Sequence, residues 1–279
     1  MDITTTKKIE TVVQLMKQTA AGPCAIAIAG AHAKGTADSS SDLDVFMFAD
    51  AYKSYEERCR LIKAVADPNM PIWISKDAEA APWGGSMDFG LRGTPVEVNF
   101  RTFAMTDRIV ADCMDGKFEI IPATWTSNGY YTFIYLSELH FIKPVWDPEN
   151  RLSAYRQKVS VYPEPLRQSI IQTFMARAGT WLNNFHYDTA IKRCDALLIA
   201  PILVHALMDM TQVIFALNRK YFTGDKKLKK QLLAMPICPS ILKNELAFLL
   251  NADQNEEGFA RQREILRSAR EELMQYCCK

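Results

Sequence analysis

Residues 24–49 read CAIAIAGAHAKGTADSSSDLDVFMFA, and their order decides the fold. CAIAIAG is an apolar run ending in glycine and LDVFMFA is a second apolar run, so both read as buried strands joined by a short Gly/Ser/Thr-rich connection. Asp42 and Asp44 stand two apart on the second strand. Side chains alternate across a strand, so these carboxylates share one face while Leu43 and Val45 turn to the core. Adjacent acids repel each other, and a strand that tolerates them is usually supplying oxygen ligands to a hard divalent ion. The small residues Gly30 and Ala31 let backbone N–H groups approach an anion. A D-x-D alone is common in turns and helix caps. With a strand on each side and a small-residue turn, it points to a metal-bound nucleoside triphosphate.

This loop resembles the signature of the nucleotidyltransferase superfamily that includes DNA polymerase β, in which Gly-Ser is followed after about ten residues by Asp-hydrophobic-Asp on the second strand. Bacterial minimal nucleotidyltransferases carry a loop like GSRARGTARPDSDIDL. Gly30, Ala33, Gly35, Thr36, Ala37, Ser41, Asp42 and Asp44 match it, and Lys34 replaces an arginine while keeping its charge. Ala31 departs from it, standing where the family has a serine whose hydroxyl helps hold the triphosphate. One lost hydrogen bond is worth about 0.5–1.5 kcal/mol, so nucleotide binding is expected to weaken and not to vanish. His32 falls at a variable position of the loop and reads as a solvated residue.

The superfamily needs a third carboxylate on a neighbouring strand. In GTPVEVNFR, residues 93–101, Val96, Val98 and Phe100 fall on one face and Glu97, Asn99 and Arg101 on the other. Taken alone, Glu97 reads as an exposed residue paired with a cross-strand lysine or arginine. Beside the loop match it becomes the third metal-binding acid. Asp88, in the preceding WGGSMDFGLRG, is a weaker candidate for the same role.

The chain has 279 residues, enough for one large or two modest domains, with 48% hydrophobic and 23% charged content typical of globular proteins. A net charge of +1 gives no broad basic field for a long nucleic acid. Seven cysteines without a CxxC pair fit reduced thiols in a cytoplasmic protein better than a disulfide frame or zinc site. No run of about eighteen apolar residues is read, so no membrane span is expected.

Along the chain, an α+β mixed-sheet domain over residues 1–148 is followed by an all-helical bundle over 149–279. The spacing predicts helices at 7–20, 54–66 and 104–115, with strands at 71–75, 83–93, 93–101 and 141–147, the last an edge strand because of Pro144. Beyond Asp147-Pro148 it predicts helices at 164–186, 189–222 (kinked at Pro201), 225–235, 239–252 and 256–276.

The segment ALNRKYFTGDKKLKK, residues 216–230, resembles the A-L-N-x-x-Y-x-x-G-x-K-x-L stretch of two-domain antibiotic nucleotidyltransferase-like bacterial proteins, among them a group known only as a domain of unknown function beside the aminoglycoside and lincosamide enzymes. Asn218, Tyr221, Gly224 and Lys226 match. The resemblance implies that Lys226 approaches the triphosphate from the helical side, whereas on its own the lysine cluster reads as a solvated surface. It further implies two Mg2+ ions held by Asp42, Asp44 and Glu97, a nucleotide site of Gly30, Ala31, Lys34, Ser41 and Lys226, and transfer of a nucleoside monophosphate from ATP to a small-molecule hydroxyl acceptor. Glu97, or an acid of the helical half such as Asp195 or Asp209, is then the base. Transfer of AMP to a protein or RNA, and a degenerate module that only holds nucleotide, are the alternatives. The oligomeric state stays open.

Overall fold

The computed structural model describes residues 3–35, 37 and 41–277, with the backbone alone for residues 3–5 and 34. The chain divides into two units, Met1–Cys113 with Phe118–Val161, and Met114–Lys117 with Tyr162–Lys279.

The first unit runs α1 (Ile3–Thr19), β1 (Cys24–Ile28), α2 (Gly30–Lys34), β2 (Leu43–Ala49), α3 (Tyr55–Lys63), β3 (Trp73–Ile74), β4 (Gly85–Leu91) and β5 (Thr94–Thr102). It continues through α4 (Phe103–Met114), β6 (Ile120–Ala123), β7 (Thr126–Tyr131), α5 (Ile134–Phe141), β8 (Lys143–Trp146) and α6 (Arg151–Lys158). Six strands form one mixed sheet in the order β3-β4-β5-β2-β1-β8, in which β2 and β5 run parallel and the other neighbours antiparallel. β8 with Pro144 takes the edge, where a residue without an N–H costs no ladder bond. The hairpin of β6 and β7 is a finding that the sequence pattern does not announce.

One face of the sheet buries Leu43, Val45 and Met47 of β2 and Val96, Val98 and Phe100 of β5 against Val12 and Met16 of α1 and Ile62 of α3. Each such side chain contributes about 1.5–3 kcal/mol by leaving water. Ser54 starts α3 as its N-cap, accepting from the Glu57 N–H at 3.2 Å. The opposite face is also covered over the later part of the strands, where Phe48 lies 6.2 Å from Phe103 of α4. There Arg101, fully buried, pairs with Glu138 of α5 at 2.7 Å and sits over the rings of Tyr135 and Phe46 at 3.8 and 4.8 Å. Burial pushes the Glu138 carboxyl above its ordinary range and the Arg101 guanidinium works against that push. The face of β5 that also carries Glu97 and Asn99 is therefore polar at one end and sealed by an ion pair at the other.

The second unit holds α7 (Glu164–Asn183), α8 (Phe185–Lys192), α9 (Ala196–Leu217), α10 (Leu228–Leu233), α11 (Ser240–Asn251) and α12 (Glu256–Cys277), with α9 packed against α7 and α12. The single helix expected over 189–222 is two helices. Cys194, at a φ of +51°, breaks the chain, and Asp195 restarts it as the N-cap of α9 by accepting from the Leu198 N–H at 3.2 Å. α9 also corrects the expectation that no long apolar segment occurs. It is the one helix among the described residues long and apolar enough to cross a membrane, with a mean hydropathy of 1.8. Its second half is buried continuously from Met208 to Leu217, as the central helix of a bundle is. The chain is thus an α+β mixed-sheet unit followed by an all-α unit.

Candidate active site

The parallel register of β2 and β5 sets Asp44 directly beside Glu97. On the other side of Glu97, the antiparallel register of β4 and β5 sets Asp88. That second register is fixed by the two-residue Arg92–Gly93 turn, whose N–H groups both donate to the Asp67 carboxylate, at 3.0 and 2.6 Å. Three neighbouring strands therefore carry acids abreast, with Glu97 in the middle. This removes the reading of Glu97 as the partner of a cross-strand lysine or arginine, since both cross-strand neighbours are acids.

Asp42 joins the row from the extended residues that lead into β2, just before the strand begins at Leu43. Ligand oxygens of Asp42, Asp44 and Glu97 all lie within 4.8 Å of one another, with the two aspartates half-buried and Glu97 exposed. Asp88 is half-buried at the flank of this group. Burial first, and then the neighbouring Glu97 charge, push its carboxyl up to about 6 against a backbone hydrogen bond from Val98.

Between β1 and β2 the described residues begin with a short helix, α2, which opens at Gly30. Gly30 has a φ of +54°, and a Cβ there would lie 1.6 Å from Oδ2 of Asp44. Only a residue without a side chain lets the backbone come this close to the carboxylate. Ala31 and His32 follow within α2, half-buried, and Ser41 immediately precedes Asp42. The side chain of Lys34 and the whole of Thr36 lie outside the described residues.

The motif of the second unit resolves into structural parts and one exposed charge. Asn218 caps α9 and clamps residue 237, its Nδ2 donating to the Ile214 and Ile237 carbonyls at 2.7 Å each while its Oδ1 accepts from the Ile237 N–H at 2.9 Å. Tyr221 is buried against Tyr162, ring centroids 4.9 Å apart. Lys226 is exposed in the turn before α10, its carbonyl accepting from Gln231 at 3.1 Å. Of the two acids considered as alternative bases, Asp195 is occupied as a helix cap. Asp209 is buried in the bundle, 3.3 Å from Arg177, and burial outweighs that guanidinium to push its carboxyl up to about 6.

Three carboxylates this close, with no imidazole or thiolate among them, form a donor set for a hard, oxygen-seeking divalent cation such as Mg2+. Residues 136–228 match a family described as a domain of unknown function (DUF4037). No curated protein matches the chain. A nucleotidyltransferase-like protein from Exiguobacterium sibiricum is similar in structure at 9% sequence identity and a TM-score of 0.45, over 98% of this chain and 73% of that one.

Proposed function

We propose that the chain is a metal-dependent nucleotidyltransferase that moves a nucleoside monophosphate from a nucleoside triphosphate, ATP in the first instance, to a hydroxyl of a small molecule. The observation that carries this reading is the gathering of Asp42, Asp44 and Glu97 within 4.8 Å beside a glycine that admits close backbone approach. Those three acids would hold two magnesium ions, which would neutralise triphosphate charge and polarise the phosphorus under attack. The backbone at Gly30 and Ala31 and the hydroxyl of Ser41 border the phosphates. Glu97, the exposed acid, takes the proton of the acceptor hydroxyl. The acceptor oxygen bonds to the α-phosphorus, and the bond from that phosphorus to the bridging oxygen breaks to release pyrophosphate. A net charge of +1 favours a small acceptor, an antibiotic among the candidates, over a long RNA.

The test mixes purified protein, Mg2+ and each of four α-labelled nucleoside triphosphates with a panel of aminoglycosides, lincosamides and hydroxylated metabolites. Label on a small product, lost in Glu97→Gln, is the expected result. Label only on protein or RNA would replace the acceptor class. A second reading, a module that binds nucleotide without transfer, rests on Ala31, which brings no hydroxyl to the start of α2; nucleotide binding with no transfer to any acceptor would establish it.

A further inference from the structure

The second unit contains a cavity of about 540 Å³ made entirely of its own residues, among them Trp181, His186, Arg193, Asp195, Leu198 and His205. Its size falls within the range of small-molecule sites, roughly 300–1,000 Å³. The indole of Trp181 and the imidazole of His205 stack 12° from parallel with centroids 5.4 Å apart, and both line the cavity as its aromatic wall. Pro201 and Ile202 extend that wall with hydrocarbon. The rim carries one cation and one anion of opposite standing. The Asp195 carboxylate accepts from the Leu198 N–H at the start of α9, where the positive end of the helix offsets its charge. Arg193 is exposed and makes no ion pair among the described residues, so its guanidinium is available to an anion at the rim.

We propose that this cavity of the second unit binds a small planar aromatic anion, with its ring stacked on the Trp181–His205 wall and its acidic group on Arg193. The wall selects flatness, because stacked rings favour a third ring in the same orientation. Arg193 selects the charge through a bidentate hydrogen-bonded contact.

The full chain is titrated with 1-anilinonaphthalene-8-sulfonate and, in parallel, with neutral N-phenyl-1-naphthylamine, the same ring system without the sulfonate. Calorimetry and dye fluorescence should show a single saturable site that prefers the anion by about tenfold. Arg193→Gln should abolish that preference and leave the neutral dye unaffected. Trp181→Ala should weaken both dyes, and Trp181→Phe, which keeps a ring, should restore them. Equal affinity for the two dyes in the parent chain, or a preference that survives Arg193→Gln, overturns the proposal. So does binding lost in Leu197→Asn or Phe185→Asn but kept in Trp181→Ala, because that would put the dye on the exposed apolar surface beside the cavity.

Discussion

Replacing Gly30 by alanine has two costs that a second glycine separates. Gly30 and Gly35 both hold left-handed backbone, at φ of +54° and +70°. An L-residue in that region costs about 1–2 kcal/mol. Among the described residues the new methyl meets a neighbour only at Gly30, lying 1.6 Å from Oδ2 and 2.6 Å from Cγ of Asp44, whereas at Gly35 none of them lies within 4 Å. To admit the methyl, Asp44 must leave its rotamer, a further cost of about 0.5–1.5 kcal/mol. Its carboxylate then leaves the group it forms with Asp42 and Glu97. Gly35→Ala should therefore lose stability alone, by about 1–2 kcal/mol in urea denaturation followed by circular dichroism. Gly30→Ala should lose about 1 kcal/mol more, and its magnesium-dependent ATP affinity by calorimetry should fall about 10–100-fold, the range for a metal ligand that loses its support. Parent-like ATP affinity in Gly30→Ala, or an equal loss in both variants, would refute the argument that the glycine exists to let the backbone approach Asp44.

Glu97→Gln removes the middle charge of the row formed with Asp44 and Asp88, so with a chelator present its melting temperature should rise while transfer is lost; a lower melting temperature would mean the acids are not in mutual repulsion. Glu138→Gln leaves the buried Arg101 charge uncompensated and should cost about 3–5 kcal/mol in denaturation, whereas Arg101→Met with Glu138→Leu should cost much less than the two single changes combined. Asp209 binds its proton more tightly folded than unfolded, since its carboxyl rises from 3.8 to about 6. Stability should accordingly fall as pH rises from about 4 to about 6 and level off above. Asp209→Asn should flatten that slope in pH-dependent melts and keep transfer activity, because Glu97 and not Asp209 is assigned as the base.

Alternation carries most of what the sequence tells about the site. Asp42 and Asp44 bracket Leu43, and Glu97 stands between Val96 and Val98, so the faces of both strands are legible before any coordinates are known. The register between the strands is not legible, because the Arg92–Gly93 turn and its Asp67 anchor fix it from outside the motif. Asp88 consequently looks like a minor candidate until it is seen beside Glu97. Arg101 is hidden for a related reason. Its position on the face of Glu97 suggests solvent, and only α5, which begins 33 residues on in the chain, supplies the Glu138 and Tyr135 that bury it. The helical half is legible wherever proline or glycine punctuates it. The break at Cys194 escapes because a left-handed cysteine leaves no mark in composition.

The parallel pairing of β2 with β5 also bears on when the site comes into being. Asp44 and Glu97 meet only after the chain has passed through α3, β3 and β4, and closing a loop of that length has to be paid in entropy before the contact gives anything back. A nascent chain that has emerged only as far as β4 holds two of the three acids and no cluster. A contact that forms after the folding transition state leaves the refolding rate untouched, and whatever binds to it acts on the unfolding limb. Magnesium and nucleotide should slow the unfolding of the first unit and leave its refolding rate unchanged, which a pair of chevron plots with and without ligand would display directly.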